Sequence, residues 1–566
     1  MPQTSVIDPI SRIEGHLRIE MSVEDNKVID AHVSGGLFRG LELIVQGRTP
    51  TDAAYIAQRV CGVCPVSHGH TSSYAAEAAY GITIPNGARL IRNMVECAQF
   101  LHSHILWFYN LYALDFVNPI NALSADVAGA YDLANAAGTG VSDFGAVAKR
   151  LSAFAENGQL SIFSGNWFDA TVDGQRAYKL PPELDLIATT HYLEGLQYQA
   201  KASQVAALLG GKMPHVMTSL PGGTTYMPDE EKLDDVLYRA IAIRDWVQNT
   251  MVPDTLAIAP YYLDEIIKDG KWTGAGPGRF AAWGVFDRRT MDPLDRYLPA
   301  GMIDDQLNLT APDESKILEY IDHSYYNGTG GLNPRQGETD PNYTDYDING
   351  RYTWSKAPRY DGKSYEVGGV SRMLVAYLRG VPEVQGYVQQ LTSFLAAQAP
   401  AVFANASLAD VVHAVDTTLG RAAIRNYETL YVANLLVDLT KELIEAVKSG
   451  DAATYVDHPN TTGEGAGMWE APRGALYHYE KVEKDRITKY QAIVPSTWNI
   501  SPRDADGNPG PMEEALIGLT VDDVEKPIEA LRVVHSFDPC IACAIHVTEP
   551  KTGTVFNTVT NPWGVR

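Results

Sequence analysis

The sequence predicts an α+β protein that is predominantly helical, with a long-helix bundle as its core and small β-hairpin regions near both termini. Three observations lead to this class. Long central segments repeat apolar residues at helical spacing. Both ends of the chain instead alternate polar and apolar residues over short runs, as strands do. A repeating order of strand, helix and strand is missing from the sequence, which argues against a parallel sheet flanked by helices.

The predicted helices share apolar residues at a spacing of about 3.6 positions. They cover residues 51–80, 85–117, 181–209, 229–251 and 408–448, the last of them bent near Gly420. Alternation predicts one hairpin within residues 16–34 and a second within residues 474–494. Frequent Gly, Pro, Asn and Asp predict loops at residues 270–279, 327–361 and 501–511.

Charge and hydropathy exclude several partners. With a formal net charge of −24, the chain lacks the basic surface that nucleic acid or anionic lipid requires, so neither is expected to bind. Apolar runs stay short of the roughly 18 residues that span a bilayer, and the N-terminus lacks the pattern of a signal peptide. A membrane or periplasmic location would therefore depend on partners.

Four of the five cysteines form two CxxC pairs, at residues 61–64 and 540–543, each followed by a histidine, His68 or His546. On a helical turn, thiolates at i and i+3 face the same way, so each pair is predicted to form one half of a metal site. A single pair also fits a structural zinc site or a redox dithiol, although zinc sites usually draw on pairs closer in sequence. The fifth cysteine, Cys97, lies in an apolar helical pattern and is predicted to be a buried thiol.

Six further segments carry a resemblance together with the two cysteine motifs. They are residues 12–18 (RIEGHLR), 38–42 (FRGLE), 356–360 (KAPRY), 366–368 (EVG), 472–476 (PRGAL) and 494–499 (VPSTWN). In this order, over nearly the whole chain, they resemble the large subunit of nickel–iron hydrogenases. The resemblance implies the fold of that subunit, the reversible oxidation of dihydrogen to protons and electrons, and a single domain over residues 1–546.

The resemblance implies a binuclear metal centre. Cys61, Cys64, Cys540 and Cys543 would hold nickel, and Cys64 and Cys543 would also bridge to an iron that carries carbon monoxide and cyanide. Thiolates are soft ligands that suit a nickel ion changing its redox state. Because position 540 is a cysteine, the chain resembles the ordinary branch of the family rather than the branch with selenocysteine.

The resemblance also implies catalytic residues around this centre. Glu14 would relay the proton that a Cys540 thiolate first accepts. Arg473 and Ser496 would donate hydrogen bonds to cyanide, next to Pro472, and Arg473 would lie over the open metal position. Taken singly, the residues have plainer interpretations: Glu14 as the partner of a nearby arginine in its own hairpin, Arg473 in a surface ion pair, and Ser496 as a turn residue.

Two more residues near the centre are implied by the same resemblance. His68 would donate a hydrogen bond to a cysteine sulfur, and Asp538 would pair with a nearby arginine. Residues 102–104 read His-Ser-His where the family often has His-Asp-His, which predicts that a carboxylate near Arg473 is missing.

A separate magnesium (or iron) site is implied near the C-terminus. Its protein ligands would be Glu42, His546 and a backbone carbonyl near Ala492, with waters held by Lys356 and Glu366. A hard cation of this kind prefers oxygen ligands and keeps several waters. The expected role of this site is to fix the end of the mature chain.

The resemblance predicts processing and partners as well. A maturation protease would remove residues 547–566 after nickel-insertion factors act. An iron–sulfur small subunit would take the electrons, because only Cys97 remains and a cluster needs several cysteine ligands. The expected location is the periplasmic face of the cytoplasmic membrane by co-export with that subunit, or alternatively the cytoplasm. Two rival classes stay open: a relative of the quinone-binding subunit of respiratory complex I, and a scaffold with a zinc site.

Overall fold

The computed structural model describes residues 2–268 and 271–544, excluding the side chains at positions 164, 165, 543 and 544. The helices in this part of the chain are α1 (Leu41–Ile44), α2 (Pro50–Ala57), α3 (Pro65–Tyr80), α4 (Asn86–Leu106), α5 (Val127–Ala137), α6 (Phe144–Glu156), α7 (Pro182–Gly210), α8 (Glu230–Trp246), α9 (Val252–Ile258), α10 (Gly369–Leu378), α11 (Pro382–Gln398), α12 (Pro400–Phe403), α13 (Leu408–Val415), α14 (Thr418–Ser449), α15 (Pro495–Asn499), α16 (Pro511–Leu516), α17 (Ile528–Ser536) and α18 (Ile541–Ala544).

The principal strands are β1 (Gln3–Ile7), β2 (Leu17–Glu24), β3 (Lys27–Gly35), β4 (Phe280–Ala282), β5 (Gly301–Ile303), β6 (Leu309–Thr310), β7 (Ile317–Tyr320), β8 (Ala357–Tyr360), β9 (Glu366–Val367), β10 (Gly463–Ala471), β11 (Gly474–Glu483) and β12 (Arg486–Ile493). Three further ladders join strands of two residues each within the described residues.

Long helices form the centre of the molecule, as predicted. Helix α4 packs against α7 and α14, and α14 also packs against α8. Their facing side chains form one large buried apolar cluster. The chain breaks at Asp416 and Thr417, near Gly420 as predicted, and the Thr417 hydroxyl accepts a hydrogen bond from the Gly420 amide and caps α14. Within the described residues, every helix is too short or too polar to cross a bilayer.

Antiparallel sheets lie near both ends of the chain. Strands β1–β2–β3 form the N-terminal sheet, and β10–β11–β12 form a second sheet that includes the predicted C-terminal hairpin. Strand β10 was not predicted, because its three glycines weaken the strand pattern. They allow α3 to approach the sheet: a Cβ on Gly463, Gly465 or Gly467 would lie between 2.0 and 2.4 Å from backbone atoms of α3.

The prediction of one helix over residues 51–80 is wrong. Helix α2 ends at Ala57, a 3₁₀ turn covers Gln58–Val60, and α3 starts only at Pro65. Proline has no amide hydrogen and disfavours helical backbone in the residue before it, so it starts a helix rather than continuing one. Cys61 is extended, with φ −143° and ψ 145°, and Cys64 caps α3. The first cysteine pair therefore lies in a turn and not on a helix.

Candidate metal centre

Three cysteine sulfurs from the two ends of the chain meet in a buried pocket. The Sγ atoms of Cys61, Cys64 and Cys540 all lie within 4.8 Å of one another. Those of Cys61 and Cys540 are 3.3 Å apart, although 479 positions separate them in the sequence. The side chain of Cys543 lies outside the described residues, although its backbone belongs to α18. A cluster of convergent thiolates suits a soft transition metal such as nickel or zinc.

The N-terminal segment joins the C-terminal cysteine segment through the main chain. Glu14 and Cys540 form a parallel β-bridge, in which the Ile541 amide donates to the Glu14 carbonyl at 2.8 Å. Gly15 makes this approach possible, because its φ is +88° and an added Cβ would lie 2.7 Å from the Ile541 Cβ. The bridge places the Glu14 side chain beside the sulfurs.

Glu14 is the carboxyl group nearest to these sulfurs among the residues predicted for the site. Its Oε2 lies 3.2 Å from Cys540 Sγ and accepts a hydrogen bond from the Ala542 amide at 2.8 Å. Burial, followed by the charge of Cys61, raises the Glu14 pKa. Neither Arg12 nor Arg18 pairs with it, because Arg12 binds Asp115 and Arg18 binds Asp8 and Glu20. A carboxyl with a raised pKa next to a thiol is suited to receive and release a proton.

Arg473 lies near the same sulfurs and is buried, so it is not a surface residue. Its Nε donates to the Asp538 carbonyl at 3.0 Å and its Nη2 donates to Asp538 Oδ1 at 2.9 Å. Although burial opposes the charge, Asp538 and the sulfurs of Cys540, Cys64 and Cys61 raise the Arg473 pKa. The guanidinium is therefore a fixed positive charge against the thiolates.

The His-Ser-His sequence at residues 102–104 predicted that a carboxylate near Arg473 is missing. Ser103 Oγ accepts a weak hydrogen bond from Arg473 Nη1 at 3.4 Å. The carboxylate partner of Arg473 is Asp538, which also binds Arg425 Nη2 at 2.7 Å. Asp538 thus pairs with arginine as predicted, whereas position 103 supplies only the Ser103 hydroxyl and no carboxylate.

Ser496 and Pro472 lie at the edge of the same pocket. Ser496 is buried at the start of α15, and its Oγ accepts a hydrogen bond from the Cys540 amide at 2.9 Å. Its hydroxyl hydrogen remains to be donated elsewhere. The Pro472 carbonyl accepts from Arg372 Nη2 at 2.9 Å, which fixes the main chain immediately before Arg473.

His68 is buried on the first turns of α3. Its Nδ1 lies 3.2 Å from Nε2 of His478, and its Nε2 has no hydrogen-bond partner among the described residues. Burial lowers the His68 pKa to about 4, so the ring is neutral at physiological pH. The predicted hydrogen bond to a cysteine sulfur remains a prediction, and Nε2 is the nitrogen available for it.

A second polar cluster surrounds Glu42. Its Oε1 accepts a hydrogen bond from the Ala492 amide at 3.0 Å, and its Oε2 accepts one from the Thr339 hydroxyl. Lys356 Nζ lies 3.2 Å from Gln491 Oε1 and 3.5 Å from Glu319 Oε2. These residues supply oxygen atoms that fit a hard cation. His546, predicted as a further ligand, lies outside the described residues.

Glu319 and Gln491 were missed by the sequence analysis, and Glu366 was predicted in their place. Glu319 pairs across the sheet with Pro358, two residues from Lys356, and this strand pairing cannot be deduced from spacing. Glu366 bonds instead to Arg421, at 2.7 and 2.8 Å, and among the described residues none of its hydrogen bonds reaches Glu42 or Lys356. The prediction that Glu366 holds water beside Lys356 is therefore corrected.

Comparisons with known proteins agree with this arrangement. The sequence model of the family described as nickel-dependent hydrogenase matches residues 39–546, and one described as HoxL-like matches residues 4–34. The chain is 36% identical to the uptake hydrogenase large subunit of Rhodobacter capsulatus, over 96% of this chain and 95% of that protein. It is 35% identical to the quinone-reactive Ni/Fe-hydrogenase large chain of Wolinella succinogenes, over 97% of both.

A solved structure has a similar fold. It is that of the Ni-Fe-Se hydrogenase of D. vulgaris Hildenborough in the reduced state. The two chains superpose with a TM-score of 0.78 at 34% identity, over 96% of this chain and all of that chain.

Proposed function

Because the chain belongs to the nickel-dependent hydrogenase family, we propose that it is the catalytic large subunit of a nickel–iron hydrogenase working in hydrogen uptake. Each turnover converts one dihydrogen into two protons and two electrons. The observation that carries this proposal is the meeting of Cys61, Cys64 and Cys540 with Glu14 and Arg473 in one buried pocket. A soft-metal site, a proton acceptor and a fixed positive charge are the parts that heterolytic cleavage of dihydrogen needs.

The donor set fits a nickel–iron group. We assign Cys61 and Cys540 as terminal nickel ligands, and Cys64 and Cys543 as ligands shared with an iron that carries carbon monoxide and cyanide. When bound, this group supplies the site at which dihydrogen is split. Arg473 and Ser496 are placed to donate hydrogen bonds toward cyanide nitrogen, since both are buried beside the cysteine segment.

The chain itself moves the proton. Cys540 Sγ accepts it and passes it to Glu14 Oε2 over the 3.2 Å that separate these atoms. The Ala542 amide, bonded to the same Oε2, holds the carboxylate in place. The raised pKa of Glu14 brings its proton affinity closer to that of a thiol, so the transfer costs less free energy.

The cluster around Glu42 is proposed to bind magnesium, or iron, together with the Ala492 carbonyl and His546. The acidic pair Glu42 and Glu319 supplies negative charge, and buried Lys356 balances part of it. Glu319 and Lys356 hold the metal's waters in this assignment. The cation would fix the end of the mature chain against β12.

Maturation is proposed to end the chain at His546. A protease would remove residues 547–566 after nickel-insertion factors have acted, leaving the single domain 1–546. Mass spectrometry of purified active protein tests this proposal directly. A mass corresponding to a chain that ends at His546 is expected, and an active enzyme that still carries Val547 would overturn it.

The electrons must leave through an iron–sulfur small subunit. Four cysteines are assigned to the metals, and Cys97 is fully buried in α4. The names of the uptake and quinone-reactive relatives support association with a respiratory membrane. We propose that attachment and export to the periplasmic face come from the small subunit, with a cytoplasmic location as the alternative.

Metal analysis combined with infrared spectroscopy tests the proposed function. Purified heterodimer is expected to contain nickel and iron near 1:1 and to show bands from carbon monoxide and cyanide bound to iron. Zinc alone would favour a scaffold. Absence of both metals, in a protein that still binds quinone, would favour the relative of complex I, which typically lacks the cysteine pairs.

A further inference from the structure

A second buried charge cluster lies beside the cysteine pocket. Glu366 on β9, Asp416 after α13 and Arg421 on α14 are all at most 3% exposed. Arg421 Nη2 donates to Glu366 Oε2 and to Asp416 Oδ1, both at 2.7 Å. If both carboxyls were ionised, two buried negative charges would lie against the same guanidinium, that of Arg421.

A proton shared between the two carboxyls would remove the repulsion between their charges. Burial, followed by the charge of Glu366, raises the pKa of Asp416 well above its usual value. The two side chains are close enough for a protonated Asp416 to donate a hydrogen bond to Glu366. The pair is therefore suited to hold one proton between its two carboxyls.

On one side, this pair borders a cavity that Arg473, the arginine near the cysteine sulfurs, also lines. Glu366 and Arg421 line a small polar cavity together with Arg473, Arg425 and Asn499. The cavity is large enough for a water molecule, and these side chains would hydrogen-bond it. Since Arg473 also lies against the sulfurs, a water in this cavity would connect the carboxyl pair to the surroundings of the metal site.

On its other side, the pair is separated from an open groove by Gly276. The Gly276 amide donates to Asp416 Oδ2 at 3.2 Å, and Gly276 lines an open groove with Ala275 and His413. A Cβ at position 276 would lie 2.6 Å from Glu366 Oε2. Any larger residue at position 276 would displace Glu366, so glycine allows the carboxyl pair to lie against the residue that lines the groove.

We propose that Glu366 and Asp416 form a proton-relay pair between the metal pocket and this groove, as a second proton route beside Glu14. The inference rests on the proposed function, which releases protons at the pocket. A proton arrives on Glu366 from cavity water while the proton on Asp416 leaves to water in the groove. The proton on Glu366 then passes to Asp416 along the hydrogen bond between the two carboxyls, so the charge of the pair is unchanged after each passage.

The alternative is that the pair only neutralises Arg421. The variant Asp416→Asn separates the two roles, because its amide oxygen can accept from Arg421 and its amide nitrogen can donate to Glu366, but neither can pass a proton on. The Gly276 amide loses its acceptor in this variant. Arg421 keeps both hydrogen bonds to Glu366 in this variant, so the fold is retained. Glu366→Gln is less suitable, since it would leave the buried guanidinium without a negative partner.

The experiment measures exchange of hydrogen isotopes between dihydrogen and water in the purified heterodimer, a reaction that moves protons but needs no electron acceptor. Asp416→Asn is added to Glu14→Gln, in which the proposed main route is closed. The expected result is that the exchange remaining in Glu14→Gln falls at least fivefold. A smaller change would overturn the proposal. The control is Glu513→Gln added to the same background, because Glu513 is a buried acid that does not line the cavity and accepts a hydrogen bond from Tyr352.

Infrared difference spectra in H₂O and D₂O give a readout that is independent of turnover. Wild type is expected to show a carboxylic-acid band, shifted in D₂O, that Asp416→Asn lacks and Glu513→Gln retains. No such band would overturn the shared proton. Failure of the proposed function is distinct from either result, because wild type would then lack isotope exchange and the metal-ligand bands altogether.

Discussion

Glu14 Oε2 lies 3.2 Å from Cys540 Sγ, although 526 positions separate the two residues. Main-chain hydrogen bonding between Glu14 and Ile541 holds the two segments together, so the contact does not depend on side-chain packing alone. The N-terminal segment thus supplies the carboxyl group that serves a cysteine at the other end of the chain.

Glu14→Gln is expected to retain both metals and to lower the rate of hydrogen oxidation by about 10²- to 10⁴-fold. Glutamine can still accept the hydrogen bond from the Ala542 amide but cannot take a proton from Cys540. Dye reduction under hydrogen, with metal content measured on the same sample, tests this. Glu464→Gln, at an exposed position on β10, is the control. Wild-type rates in a fully metallated Glu14→Gln enzyme would contradict the assignment.

Arg473→Lys is expected to keep the charge but lose the paired hydrogen bonds to Asp538, because one ammonium cannot reproduce the planar fork of a guanidinium. Asp538 keeps Arg425, so the protein should still fold. A decrease in turnover of about 10²-fold is expected, together with shifted cyanide bands in the infrared spectrum. Arg335→Lys, in a half-exposed pair with Glu314, is the control. Unchanged bands would show that Arg473 does not contact the cyanide.

Much of this site was predictable, because its residues lie in short motifs in a fixed order. The cysteine pairs, Glu14 and Arg473 were predicted from sequence, and the described members of this set meet in the pocket. The long helices were predicted as well, since their periodicity extends over many turns. The break before Pro65 was missed although the signal was there, because apolar periodicity was given more weight than proline.

The partners that could not be predicted from the sequence depend on tertiary contacts. Glu319 reaches Lys356 through strand pairing between β7 and β8. Glu366 was assigned by motif to one cluster but lies in another. Sequence spacing fixes which residues are near along the chain, whereas these partners come from distant segments.

Glu319→Gln tests the assignment of the second metal site. Removing one carboxylate should weaken binding of a hard cation and leave buried Lys356 with less compensating charge. We expect the thermal stabilisation that added Mg²⁺ gives to chelator-treated enzyme to shrink by more than half. The control is Glu314→Gln, an acid close by in sequence that binds Arg335 instead. Equal stabilisation of wild type and Glu319→Gln by Mg²⁺ would remove Glu319 from the site.

Glu480 gives a prediction about pH and stability. It is fully buried on β11, and neither carboxyl oxygen has a hydrogen-bond partner among the described residues. Burial raises its pKa to about 8. Since the pKa in the unfolded chain is lower, about 4.3, the folded protein binds a proton that the unfolded chain releases between these values. The contribution of Glu480 to stability is therefore complete below pH ~4 and is lost as the pH rises through about 8.

Glu480→Gln removes this dependence while keeping the size of the side chain. As the pH rises from about 5 to 8, the free energy of unfolding of Glu480→Gln should increase relative to that of wild type, by at most about 1.4 kcal/mol per pH unit. Thermal unfolding of the purified heterodimer at several pH values measures the difference. Glu483→Gln, at an exposed position on the same strand, should follow wild type at every pH. If the stability of Glu480→Gln and that of wild type change equally with pH, the buried carboxyl does not take up a proton on folding.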